Sequence, residues 1–188
     1  MENKLTVLYE DNQVIVVVKP QNVPTQADSS GDVDLLTMVK QYVKEKYDKP
    51  GEAFIGLVHR LDRPTGGAMV FARNSKSAAR LQEQMKSGLF EKKYLAVTVG
   101  VPRDRQGRLS QYLFKDAETN TVKVVPAAVE GAKKAELEYK VLEIADKVAL
   151  VDIKLITGRS HQARVQMQSL GTPIFGDVRY GGDTLAKG

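Results

Sequence analysis

Apolar residues recur along this chain with two different periods. Leu5 to Tyr9 and Val14 to Lys19 are β-branched runs on either side of Glu10-Asp11-Asn12, which predicts two strands around a turn, the second ended by Pro20. The polar stretch Gln21 to Gly31 predicts a loop. From Asp34 the period lengthens: Leu35, Val39, Tyr42 and Val43 share one face of a helix whose other face is Lys-rich, and Asp34 stands where an N-cap belongs. Leu57-Val58 and Ala68 to Ala72 predict two short strands separated by a turn at Pro64 to Gly67. Asn74 then predicts the cap of a second helix running to about Lys86, with Ala78, Leu81 and Met85 turned inward and Gly88 suited to the left-handed position after its end.

In the second half Lys93 to Val99 predicts a strand with Tyr94, Ala96 and Thr98 on one face and Leu95, Val97 and Val99 on the other. Pro102 to Gly107 is expected to be an exposed charged loop. Leu137, Tyr139 and Val141 alternate with Glu136, Glu138 and Lys140 as in a half-buried strand, Asp146-Lys147 supplies a turn, and Val148 to Ile156 is its hairpin partner. Gly158 to Ser160 opens a last helix that Gly171 and Pro173 terminate. On it Ala163, Met167 and Leu170 form the inward stripe, and His161, Arg164 and Gln168 an adjacent one. No repeat or linker interrupts the chain. The expected fold class is therefore α+β: a single domain with a mixed or antiparallel central sheet flanked by helices.

Composition changes this picture only where it excludes chemistry. With 188 residues and 42% hydrophobic content the chain supports one well-packed core. It has no Cys, which removes disulfides, thiolate metal sites and thiol nucleophiles, and points to a reducing cytoplasm. The longest apolar run, Val14 to Val18, is too short for a membrane span, so a soluble protein without membrane association is expected. Lys and Arg number 28 against 23 Asp and Glu, a net +5 that favours a polyanionic partner. Two His and no Cys cannot make a His-rich or thiolate zinc site, although counting leaves carboxylate-bound Mg²⁺ open. No Gly-x-Gly-x-x-Gly run occurs, and Gly66-Gly67 lacks the Lys-Ser/Thr sequel of a phosphate-binding loop, so no nucleotide cofactor is expected.

Three segments concentrate groups that could do chemistry. His59-Arg60-Leu61-Asp62-Arg63-Pro64-Thr65-Gly66-Gly67 sets one carboxylate among three basic groups at a strand end, beside a rigid Pro and two permissive Gly; a surface turn with ordinary ion pairs has the same composition. Thr157-Gly158-Arg159-Ser160-His161-Gln162-Ala163-Arg164 opens the last helix, where backbone N–H groups suit an anion and Arg164 is presented beside the apolar stripe rather than within it; a solvated basic face is the plainer reading. Strand alternation turns Tyr94 to the face opposite Leu95, either toward a site or into packing.

In this order the three segments resemble the RluA-type pseudouridine synthases, whose members share a His-Arg-Leu-Asp-Arg/Lys-x-Thr-Ser-Gly motif. The likeness continues through Lys93 to Val97 and from Thr157 to Tyr180, with Gly171-Thr172-Pro173-Ile174-Phe175-Gly176-Asp177 as a closing signature. The resemblance implies a cofactor-independent isomerase of uridines in structured RNA, ribosomal more than transfer RNA, acting as a monomer. By the same resemblance Asp62 is the nucleophile, Tyr94 lies against the target base, and Arg164 pairs with the Asp. Arg60 is the candidate for stacking in the space a flipped base vacates or gripping the distorted backbone, with Arg63 and Arg159 as phosphate contacts and His161 as an ordering group or RNA contact. Attack of Asp62 on C1' and a glycal route use the same residues, and both stay open.

The chain departs from the family pattern at Gly66-Gly67, where Ser-Gly is usual, and at Asn22 and Gln26, where Gly and His are common. Family members usually continue past this point with a further helix and strand, so a chain truncated at its C-terminal end, which would leave apolar sheet surface uncovered, is expected ahead of a short variant, and no separate N-terminal RNA-binding domain is expected. A non-catalytic RNA-binding protein on the same fold is the alternative reading. A carboxylate hydrolase would need a second carboxylate that neither motif supplies.

Overall fold

Asp11 turns the chain first: its carboxylate accepts the N–H groups of Gln13 and Val14 at 2.7 and 2.8 Å, folding β1 (Thr6–Glu10) back on β2 (Val14–Lys19). The computed structural model describes residues 5–48 and 50–182, which fall into two compact units divided between Phe90 and Glu91. In the first unit β3 (Gly56–Leu57) and β4 (Gly67–Ala72) complete an antiparallel sheet of order β1-β2-β4-β3. Ile15 and Val17 of β2 are fully buried, and α1 (Leu35–Lys46) sets Leu35, Val39 and Val43 against them together with Met69 and Phe71.

Both predicted caps are present. The Asp34 carboxylate accepts from Thr37 N–H at 3.0 Å, and the Asn74 side-chain oxygen Oδ1 from Ser77 N–H at 2.8 Å at the start of α2 (Ser75–Lys86). α2 lies close over the sheet, since a Cβ on Gly56 would stand 3.2 Å from the Ala78 Cβ. Glu10, almost buried, gathers Lys46, Arg73 and the hydroxyls of Tyr42 and Tyr47, tying β1, α1 and the end of β4 together.

The second unit is an antiparallel sheet of order β5-β9-β8-β6-β7: β5 (Lys92–Val99), β6 (Gln106–Asp116), β7 (Thr121–Val125), β8 (Lys133–Ala145) and β9 (Val148–Leu155). The β8–β9 turn places Asp146 at φ 53°, a conformation that Asp tolerates. One face packs Leu137, Tyr139, Val141, Val151 and Ile153 against Met167 of α3 (Gln162–Ser169). On the other, Leu95 and Val97 are 68% and 41% exposed.

The fold class is thus α+β, with antiparallel strands throughout the named ladders and one sheet in each unit. Two details differ from expectation. Residues 106–125, where the sequence showed only a charged loop as far as Gly107, form the β6–β7 hairpin. The last helix begins at Gln162 rather than at Gly158 to Ser160, because His161 takes a left-handed conformation (φ 50°) and the Arg159 N–H is bound at 3.0 Å by the Gln162 side-chain oxygen.

Candidate active site

Asp62 stands in a loop whose backbone is pinned on both sides. Lys19, the last residue of β2, is completely buried, and its Nζ donates to the carbonyls of Pro20 (3.0 Å), Val23 (2.6 Å) and Arg63 (3.0 Å). An ammonium has three N–H groups, and here three carbonyls receive them. Burial pulls its pKa down from 10.5 to about 8; the Asp62 charge opposes that shift and the Arg63 charge adds to it. On the other side of Asp62 the Thr25 hydroxyl donates to the Leu61 carbonyl at 2.9 Å and accepts from the Leu61 N–H at 3.3 Å. Asn22 N–H also reaches the Arg63 carbonyl (2.8 Å), and Thr65 N–H the Asp62 carbonyl (3.0 Å). Peptide units before and after Asp62 are therefore held by the segment 19–25. Gly67, which ends the run begun at His59, sits at φ 142°, a region that side-chain-bearing residues rarely adopt.

The basic neighbours of Asp62 are deployed differently from one another. His59 Nε2 accepts from the Val70 N–H at 3.1 Å while its ring leans on Phe90 at 5.6 Å, so the proton of the neutral ring is on Nδ1 and the motif is tied to β4. Arg60 is exposed. Arg63, expected to meet phosphates, is held by its own unit: Nη1 donates to Ser30 Oγ at 2.9 Å and reaches Asp28 at 3.5 Å, and Nη2 pairs with Asp32.

In the second unit Tyr94 lies on β5 opposite Ile153, half-buried against the cluster around Leu137, Ile153 and Met167. Thr157 and Gln162 fix the entry to α3: the Gln162 side chain accepts from Thr157 Oγ1 (2.8 Å) and donates to the Glu136 carbonyl (2.9 Å). Arg159, exposed, donates through Nε to the Lys134 carbonyl at 2.9 Å. Arg164 is clasped by Asp177, Nε to Oδ2 at 2.6 Å and Nη2 to Oδ1 at 2.8 Å, and its guanidinium carbon lies 4.9 Å from the centre of the Tyr180 ring. Tyr180 Oη accepts from the Val122 N–H (2.9 Å) and lies 2.8 Å from His161 Nδ1.

Of the residues singled out in the sequence, Asp62, Arg60 and Arg63 share one loop of the first unit, while Tyr94, Arg159, His161 and Arg164 belong to the second. Lys19, Thr25 and Tyr180 were not singled out for the site, and Asp177 only as part of a closing signature. Their signal is a polar side chain in an otherwise apolar setting: Lys19 ends a five-residue apolar run, and Tyr180 follows Asp177 by one helical turn. Among the described residues no group of three or more His, Asp or Glu could hold a metal ion, and no helix is long and apolar enough to cross a membrane.

Residues 13–169 match the family model described as RNA pseudouridylate synthase. Over 95% of its length the chain is 35% identical to a ribosomal large subunit pseudouridine synthase C of Rickettsia bellii, covering 57% of that protein. It is 32% identical, again over 95% of its length, to an uncharacterised RNA pseudouridine synthase of Bacillus subtilis, covering 58% of it. Among solved structures it is similar to human RNA pseudouridylate synthase domain containing 4, with a TM-score of 0.81 and 28% identity over 96% of this chain and 70% of that one. The chain thus spans a little over half the length of these curated relatives.

Proposed function

The chain belongs to the RNA pseudouridylate synthase family, and from that premise we propose that it isomerises specific uridines of a structured RNA to pseudouridine, with Asp62 as nucleophile. The reaction breaks the C1'–N1 bond and forms a C1'–C5 bond; one proton leaves C5 and one is gained at N1, so no redox partner or energy source is consumed. A carboxylate suits it, either by trapping C1' or by stabilising the detached sugar. The observation that carries this reading is the pinned loop: Lys19 and Thr25 hold the peptides flanking Asp62, so the carboxylate is presented on a fixed backbone.

Tyr94 lies against the base in this reading, and Arg164 supplies the positive charge that an ionised, water-excluded carboxylate requires. Arg60 and Arg159, both exposed, contact the RNA; Arg63 does so on leaving its carboxylate partners, and His161 orders the α3 entry. Ribosomal RNA is favoured over transfer RNA, because the Rickettsia relative is named for the large ribosomal subunit. The protein acts in the cytoplasm as a monomer.

The test is incubation of the protein and its Asp62→Asn variant with total RNA lacking pseudouridine, followed by chemical mapping. New pseudouridines made only by the parent are expected, and their positions name the substrate. Product from both proteins would remove Asp62 from the chemistry. Product from neither, with RNA still bound, would favour a binding protein on the same fold.

A further inference from the structure

An arginine's usefulness to an anion depends on which edge of its planar fork is presented. Asp177 occupies the Nε/Nη2 edge of Arg164 with two short, parallel bonds, and both side chains are largely buried, 18% and 7% accessible. A guanidinium gripped on that edge directs its Nη1/Nη2 edge away from Asp177. The plane is further limited by the Tyr180 ring at 4.9 Å. Tyr180 is itself anchored: burial raises its pKa, so the phenol keeps its proton; its oxygen accepts from Val122 N–H and lies 2.8 Å from His161 Nδ1.

We propose that Asp177 and Tyr180 are positioning residues that set the plane of Arg164 and so present its Nη1/Nη2 fork to the anionic group of the reaction. Neither touches substrate; both act through Arg164, and their effect on rate rests on the pseudouridine synthase reading above. Asp177 also accepts the Tyr180 N–H through Oδ1 at 3.3 Å. Asp177→Asn preserves that oxygen and replaces the other, so the turn keeps its cap while the Arg164 fork loses one of its two acceptors.

The experiment has two arms. In the first, single-turnover pseudouridine formation and RNA affinity are measured for Asp177→Asn and Tyr180→Phe, each in the parent and in an Arg164→Lys background. The expected result is a rate lowered by about 100-fold for Asp177→Asn, the order that a small misplacement costs, with RNA affinity unchanged. In the Arg164→Lys background, where no fork remains to be oriented, the same change should cost little more. An equal loss in both backgrounds overturns the proposal, because Asp177 would then be acting on the fold rather than through Arg164.

The second arm needs no activity. The Arg164 Nε–H resonance, assigned by its disappearance in Arg164→Lys, should be protected from solvent exchange in the parent and lose that protection in Asp177→Asn. Rapid exchange in the parent, or protection that survives the substitution, overturns the proposal. If the parent makes no pseudouridine, the functional reading has failed, and this second arm still decides whether Asp177 orients Arg164.

Discussion

Lys19 is the residue at which charge, burial and the candidate site meet most tightly. Its pKa is about 8 in the folded protein against 10.5 ordinarily, so between those values the unfolded chain binds more protons than the folded one, and stability must rise with pH across that window. The buried charge costs about 3 kcal/mol at pH 8 and below, and the penalty lifts as pH approaches 10.5. Denaturant melts of the parent and Lys19→Met from pH 7 to 10.5 should therefore show a stability difference that moves in the parent's favour as pH rises. A difference that stays flat would mean that the ammonium is not buried. Activity should move the opposite way, since a neutral amine has two N–H donors for three carbonyls and the loop around Asp62 loosens. Arg164 carries a second expectation at this scale. Arg164→Ala strands the buried Asp177 carboxylate and should destabilise the protein by about 3 kcal/mol; adding Asp177→Ala should restore part of that loss. An Arg164→Ala protein as stable as the parent would show that the clasp holds nothing in place.

At the scale of elements, the helix starts are single-residue devices and can be tested as such. Asn74→Ala removes the acceptor of the Ser77 N–H and should lower stability by about 1 kcal/mol without changing RNA affinity, read by thermal melting and filter binding. These caps were legible in the sequence because an N-cap is a local signal: Asp34 and Asn74 each stand directly before an apolar 3.6-period pattern. So were β2 and the β8–β9 hairpin, whose β-branched residues and Asp146-Lys147 turn lie close in sequence. The β6–β7 hairpin was not legible. Its alternation Arg108-Leu109-Ser110 is weak, it leaves Phe114 partly exposed, and its ladder partner β8 lies some distance further along the chain. Among the candidate residues, Asp62, Tyr94 and Arg164 stand out in the sequence through motifs, whereas the groups that hold Asp62 and Arg164 do not. Lys19 reads as one more cation until its burial is known, and the Asp177 clasp closes across a turn that periodicity does not reach.

For the whole molecule, a net charge of +5 does not say where RNA would lie. The outward face of the second unit's sheet interleaves its charges: Lys154 stands opposite both Lys93 and Glu138, Arg108 opposite Glu138, and Lys140 opposite Asp152. Positive charges neutralised by carboxylates across a ladder gain little from phosphates, so this face should contribute weakly to binding. Arg60 and Arg159 are exposed, which makes them the stronger candidates for phosphate contacts. Each released counterion steepens the dependence of binding on salt, so Arg60→Ala and Arg159→Ala should each make the slope of log K against log salt shallower by about 1, whereas Lys140→Ala should leave it unchanged. Arg63 is the intermediate case, because Asp28 and Asp32 already take the place that phosphates would fill. Removing that competition with the Asp28→Asn, Asp32→Asn double variant should strengthen RNA binding at low salt and steepen the slope, and adding Arg63→Ala should abolish the gain. If the double variant binds no better than the parent, Arg63 is a loop anchor rather than an RNA contact, and the RNA footprint rests on Arg60 and Arg159.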